Sequence, residues 1–243
     1  AHAAGVPVPA VRAVADDDPH LGPHVIMDLV EGETIPRRIQ RAEDLAAARA
    51  AFAGETGAIL ARLRTADVSA VAGLDVQDPL EKYRETLDVL GAPSATFEWA
   101  LRHLAANRPP ASAPALVHGD FRLGNLMVGP DGVRAVLDWE LVHIGDPLED
   151  LGWLCTKTWR FGGGAPVGGL GSHDALLAGY REAGGPDVPL DVLHWWELLG
   201  SFKWGVICMM QASRHFAGPP SVELAAIGRR VAEVEWDLLR ILP

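Results

Sequence analysis

Residues 116–154 read LVHGDFRLGNLMVGPDGVRAVLDWELVHIGDPLEDLGWL. Ala115-Leu116-Val117, Leu126-Met127-Val128 and residues 133–137 are short apolar runs with strand character. Gly129-Pro130-Asp131-Gly132 separates the last two and reads as the turn of a hairpin. Asp120 and Asn125 lie five residues apart on the loop before that hairpin, and Asp138 and Glu140 lie at its far end. On an extended segment, residues two apart point the same way, so the last two carboxylates are expected to face one site. Carboxylate and amide oxygens are ligands for a hard divalent cation such as Mg²⁺. An Asp beside such an ion can take a proton from a hydroxyl nucleophile.

Upstream, prolines in residues 6–9 disfavour helix. Val11-Arg12-Ala13-Val14 is a strand candidate, and residues 24–30 (HVIMDLV) read as a buried strand. Residues 41–65 carry apolar residues at helical spacing. Asp78-Pro79-Leu80-Glu81 supplies an N-cap Asp and a Pro at the first helical position, and Asp146-Pro147-Leu148-Glu149 repeats the signal. Residues 94–107 form a further helix, ended by Arg108-Pro109-Pro110. Beyond Asp146 the pattern is almost wholly helical, with caps expected at Ser172, Asp191 and Ser221. In the last helix Leu224, Ile227, Val231, Val234 and Leu238 share one face. Residues 161–171 hold six glycines and read either as a flexible surface loop or as a lid over a substrate. Neither a lysine nor a preceding strand accompanies them, which disfavours a phosphate cradle. The coarse pattern is α+β with a dominant helical body.

The chain has 243 residues, 49% hydrophobic and 22% charged, with a net charge of −11. That composition excludes disorder, collagen and coiled coil, and the acidic balance argues against a nucleic-acid partner. Cys155 and Cys208 each sit in an apolar run, so core positions in a reducing, cytoplasmic compartment are expected. No apolar run approaches the ~20 residues of a membrane span, so no membrane association is expected. The N-terminus has neither the basic start nor the apolar run of a signal peptide. It begins at Ala1 without Met and reads as a chain that starts partway through something.

His118-Gly119-Asp120, Asn125 five residues on, Asp138-Trp139-Glu140 and the following Gly145-Asp146-Pro147 with Asp150-Leu151 together resemble the catalytic region of the aminoglycoside phosphotransferase and choline kinase group. The wording is most similar to the kinase-like domains fused to some acyl-CoA dehydrogenases, and to bacterial proteins labelled aminoglycoside phosphotransferases. The resemblance covers most of the chain from about Gly5. It implies a protein-kinase-like fold: residues 1–32 as the late part of an N-lobe with its hinge strand, and 33–243 as a mostly helical C-lobe with a small catalytic β-hairpin. It implies ATP and Mg²⁺ as cofactors, with phosphoryl transfer to a hydroxyl of a small molecule. By resemblance, Asp120 is the base and Arg122 lies near the γ-phosphate. Asn125, Asp138 and Glu140 hold metal, and His118 and Asp150 support the loop. Met27 lies beside the adenine, with the Asp28 carbonyl and the Val30 N–H binding it.

Plainer readings stand beside these. Asp146 is an N-cap, Arg122 covers surface or pairs with an acid, and Glu140 stands one step behind the metal. His118 is a structural hydrogen-bonder. Most tryptophans are core, although Trp159, Trp195 and Trp196 flank the glycine-rich stretch and could line a pocket. The sequence departs from the family in having no Gly-rich hairpin and no lysine before His24, so residues 1–243 alone are expected to transfer phosphate poorly or not at all. The rival readings are a degenerate kinase fold that only binds, and a metal-dependent hydrolase, which would need more ligands near the site. Residues 155–215 carry five acids and five bases and are rich in Trp and Gly. An apolar or mixed acceptor, a hydroxylated acyl or aromatic compound, is therefore expected before a polycationic aminoglycoside. Arg160 or Arg214 would hold its anionic part.

Overall fold

The computed structural model describes residues 1–16, 18–71 and 73–242. The elements run β1 (Val11–Ala15), β2 (His24–Met27), α1 (Pro36–Ile39), α2 (Ala46–Leu63), α3 (Pro79–Leu90), α4 (Ala95–Ala106), β3 (Ala115–Val117), β4 (Leu126–Gly129), β5 (Gly132–Val136), β6 (His143–Gly145), α5 (Leu148–Cys155), α6 (His173–Glu182), α7 (Leu190–Ala217), α8 (Val222–Gly228) and α9 (Val231–Ile241). Side-chain caps start several helices where the sequence places them. Asp78 accepts the Leu80 and Glu81 N–H groups at the head of α3, and Ser94, Ser172 and Ser221 cap α4, α6 and α8. Asp146 lies one residue before the cap position of α5. Its Oδ1 accepts the Leu148 N–H at 3.0 Å, and its Oδ2 accepts the Ser112 N–H at 2.8 Å, tying the helix start to the segment that leads into β3.

Two helix expectations change. Asp191 is not a cap, because α7 already begins at Leu190 and Asp191 falls in its first turn. The single C-terminal helix is two, divided at Arg229-Arg230. Gly228 approaches α7 so closely that a Cβ there would stand 2.8 Å from that of Ala212, and the chain turns at this contact.

The strands form three two-stranded antiparallel ribbons, β1–β2, β4–β5 and β3–β6. The β4–β5 hairpin closes with Gly129 opposite Gly132, as its turn signature requires. β6, absent from the sequence reading, is three residues long and pairs with β3. The expected burial of residues 24–30 does not hold. Val25, Ile26 and Met27 are 49%, 53% and 50% exposed, because this ribbon lies outside the main core.

The body is helical. α7 has 28 residues, about 42 Å. It is buried around most of its circumference from Trp195 to Met209, with α5, α3, α4, α8 and α9 packed on it. α2 crosses α6 at glycines: a Cβ on Gly57 would collide with the Leu176 carbonyl, and one on Gly179 with that of Gly54. Residues 161–171 are neither a loose loop nor an open lid. Val167 is fully buried, Val167 bridges Gly171, and the Gly168 N–H donates to the Leu154 carbonyl. Cβ atoms on Gly163, Gly169 or Gly171 would strike neighbouring atoms, so these glycines permit close packing. Both cysteines are free and buried. Burial pushes both thiols up, Cys208 to about 12. Among the described residues no helix is long and apolar enough to cross a membrane.

Candidate functional site

The loop from His118 to Asn125 is fixed from behind. Asp150, one turn into α5 and 1% exposed, accepts the His118 N–H at 2.7 Å and the Gly119 N–H at 3.0 Å. Burial pushes its carboxyl up, and His118 and the two N–H bonds oppose that shift. Gly119 has φ +83°, and a Cβ there would stand 2.5 Å from the Leu141 carbonyl, so only glycine fits. The fully buried His118 ring joins the Leu137 carbonyl through Nε2 (2.9 Å) and accepts the Asp120 N–H at Nδ1 (3.2 Å). Nε2 therefore carries the proton, and these two bonds make His118 a brace between the loop and the hairpin end.

Asp120 projects from this frame with its side chain 16% exposed. Its Oδ1 accepts from Trp153 Nε1 at 2.8 Å, and its Oδ2 from Asn125 Nδ2 at 2.7 Å. Arg122 Nε bridges both oxygens at 3.1 and 3.0 Å. Arg122 thus pairs with the acid, and its guanidinium lies 4.7 Å from the Trp159 ring. The Asn125 amide nitrogen is taken up by Asp120, which leaves Oδ1 as the atom that could meet a cation. The Asn125 carbonyl accepts the Leu137 N–H at 2.9 Å, so Asn125 and His118 clasp the residue just before Asp138. Asp138 has φ +65°, a strained setting for a residue other than glycine. Glu140 lies in the following turn, so the alternation of an extended strand does not govern these two exposed carboxylates.

The segment that follows β2 lies against the same hairpin. Glu33 and Val128 exchange backbone hydrogen bonds, and Arg134 donates to the Glu31 carbonyl at 2.9 Å. Met27 is exposed at the end of β2, and Asp28 forms a two-bond pair with Arg12 at 2.6 and 2.5 Å. The Asp28 N–H donates to the Ala10 carbonyl; among the described residues its carbonyl and the Val30 N–H make no backbone bond.

Sequence reasoning missed the network behind the loop. Lys203 of α7 is 3% exposed and donates to the Gly119 carbonyl at 2.8 Å and to Glu149 at 3.0 Å. Glu149 in turn meets His143 at 3.1 Å. Lys203 lies 84 residues from Gly119, and a lone lysine in an apolar run was its only signal. Trp159, Trp195 and Trp196 are buried, and Trp195 also lines a cavity, so the core and pocket readings both find support there; the bond of Trp153 to Asp120 had no signal in the sequence. Trp159 packs between Trp153 and Trp204 at 5.1 and 4.9 Å. Arg160 is not free to anchor an anion, because it pairs with Glu197 and binds the Cys155 carbonyl.

The sequence profile of the family described as "Phosphotransferase enzyme family" matches residues 1–189, which takes in the whole of this loop and hairpin. The chain belongs to the phosphotransferase enzyme family. It is 28% identical to acyl-CoA dehydrogenase family member 10 of Mus musculus over 96% of this chain and 24% of that protein. It is 33% identical to acyl-CoA dehydrogenase family member 11 of Homo sapiens over 52% of this chain and 17% of that protein. The chain thus spans a quarter or less of the length of these curated relatives. A crystal structure from Ralstonia eutropha, of a protein assigned as an aminoglycoside phosphotransferase, superposes with TM-score 0.75 at 24% identity. That match covers 97% of this chain and 78% of the other. A choline/ethanolamine kinase family protein from Mesorhizobium loti gives TM-score 0.65 at 20% identity, covering 99% and 79%. The fold of this phosphotransferase family member is that of these kinase-like proteins.

Proposed function

We propose that this chain carries the catalytic centre of an ATP- and Mg²⁺-dependent phosphotransferase acting on a hydroxyl of a small molecule. The observation that carries the reading is the junction of Asp120 with Asn125, and of Asn125 with the residue before Asp138. Asp120 orients and deprotonates the hydroxyl. Asn125 Oδ1 and Asp138 hold Mg²⁺, with Glu140 as a further oxygen ligand, and Mg²⁺ neutralises charge on the transferring phosphoryl group. Strain at Asp138 fits a residue whose place is set by its ligand. Arg122 now fills the acceptor positions of Asp120. A substrate hydroxyl reaches Asp120 when Arg122 yields that bond and turns to the phosphate. The open Asp28 carbonyl and Val30 N–H, beside Met27, are the pair that binds the adenine edge. The GDP complex of an aminoglycoside 2'-phosphotransferase, a fold neighbour with TM-score 0.69, supports nucleotide use.

A cavity of about 620 Å³ bordered by Arg37, Lys157, Phe161 and Arg230 receives the acceptor. Arg122 over Trp159, Trp159 against Trp204 and Arg230 over Trp204 connect it to the catalytic loop. The aromatic rings on that path favour an acceptor with an apolar body, such as a hydroxylated acyl or aromatic compound; Arg230 and Lys157 are paired with Glu233 and Asp237, so an anionic part of it would have to displace those acids. The deciding experiment is phosphate transfer from Mg²⁺-ATP by the full-length protein and its Asp120→Asn variant. Loss of a positioned base lowers kcat by roughly 10²-fold or more, with nucleotide affinity kept. An unchanged kcat refutes the assignment. Asp120 is held by Trp153, Arg122 and Asn125, so the isosteric Asn is the variant that preserves its neighbours best.

A further inference from the structure

Away from the catalytic loop, three side chains of metal-ligand type meet where α6 begins and α7 runs past. His194 and Glu197 are three residues apart on α7 and share a face. His173 is the first residue of α6. Its Nε2 stands 3.3 Å from Glu197 Oε2, and one ligand atom from each of the three residues lies within 4.8 Å of the others. The short contact is not a hydrogen bond: His173 Nε2 is buried and finds no partner among the described residues. The other Glu197 oxygen is held by Arg160, which also donates twice to the Cys155 carbonyl, at 3.1 and 3.0 Å. The three residues border a cavity of about 770 Å³ that is also lined by Asp191 and His103.

We propose that His173, His194 and Glu197 form a binding site for one divalent transition-metal ion of the zinc type, distinct from the Mg²⁺ site of the proposed reaction. Two imidazoles and one carboxylate, with a fourth position open to water, are a zinc donor set, whereas Mg²⁺ prefers oxygen alone. An ion at about 2.0–2.1 Å from both atoms spans a 3.3 Å edge at about 107°, close to tetrahedral. A plain His173–Glu197 ion pair would direct Nε2–H at the carboxylate and would not need His194. His194 is exposed and can swing to complete the set. Arg160 behind Glu197 is the kind of outer partner that orients a ligating carboxylate. Arg160 precedes the 161–171 strap and His173 follows it, so a bound ion would fasten both ends of the strap to Glu197.

The test is titration of chelator-treated protein with Co²⁺ and then Zn²⁺. One equivalent of Co²⁺ should give the strong visible bands of a tetrahedral site, and Zn²⁺ should displace it. The melting temperature should rise with Zn²⁺ concentration. His194→Ala and His173→Ala should each weaken binding at least ~10-fold, the lower bound for losing even an outer partner. His20→Ala, at an exposed histidine far along the chain, should bind as the parent does. Asp138→Ala should also leave Co²⁺ binding intact, which separates this site from the proposed catalytic metal. Absence of saturable binding at one equivalent overturns the proposal, as does parental affinity in either the His173 or the His194 variant.

Discussion

Lys203 brings a full positive charge into the core of a helical body, and the residues around it explain how. Burial opposes the ammonium, yet Glu149 outweighs it and holds the lysine above its ordinary value. The Trp153 ring lies 4.2 Å from Nζ, and the third partner is the carbonyl of Gly119, the residue before Asp120. Lys203 therefore helps to fix the backbone of the loop that carries Asp120. Lys203→Met leaves Glu149 without its main counter-charge and should cost about 3–5 kcal/mol in denaturant unfolding. Adding Glu149→Gln should recover part of that loss. A loss under about 1 kcal/mol in the single variant would show that the buried pair does not hold the loop.

Among the elements, the contact of α2 with α6 rests on absent side chains. Gly57 and Gly179 let the two backbones meet, and a methyl on Gly57 would run into the Leu176 carbonyl and stand 2.8 Å from the Tyr180 N. The obstacle is backbone and cannot rotate away. Gly57→Ala gains a little helix propensity, but overpacking should outweigh it, for a net loss of about 1–3 kcal/mol. Thermal denaturation measures this, and a raised melting temperature would mean that the helices can part at little cost. Part of the 161–171 strap follows the same logic: Gly163, Gly169 and Gly171 lie against Arg160, Gln40 and Ala53, while Gly162 and Gly164 meet nothing within 4 Å. At those three positions glycine marks close contact, where composition alone suggested mobility.

For the whole molecule, the buried His143–Glu149–Lys203 network sets two limbs of the pH–stability curve. Burial would raise the Glu149 carboxyl, but Lys203 and His143 overcome it and bring it to about 2. Its contribution is therefore present above the unfolded value near 4.5 and is lost as pH falls from there towards about 2. Burial disfavours a charged His143, yet its bond to Glu149 raises it above its ordinary 6.5. That contribution is present below pH 6.5 and is lost as pH rises through the folded value. Calorimetric melting across pH should show this network stabilising most between about pH 4.5 and 6.5. In Glu149→Gln both limbs should flatten, and limbs of unchanged slope would assign the pH dependence to other groups.

The local signals needed no tertiary structure. Asp78, Ser94, Ser172 and Ser221 cap helices because the bond runs to an N–H two or three residues away, and the 129–132 turn closes its hairpin for the same reason. The spacing of His118, Gly119, Asp120 and Asn125 was legible too, because the proposed catalytic loop is a contiguous piece of chain. What crosses long separations was not. β6 is too short to carry a pattern, and α7 starts at Leu190 before the expected cap. The C-terminal helix divides where Gly228 meets Ala212. Asp120 meets Trp153, Lys203 meets Gly119 and His173 meets Glu197 only after folding. Caps and turns are fixed by neighbours within a few residues, whereas a buried charge finds its partner only when distant helices pack and exclude the water that would otherwise solvate it.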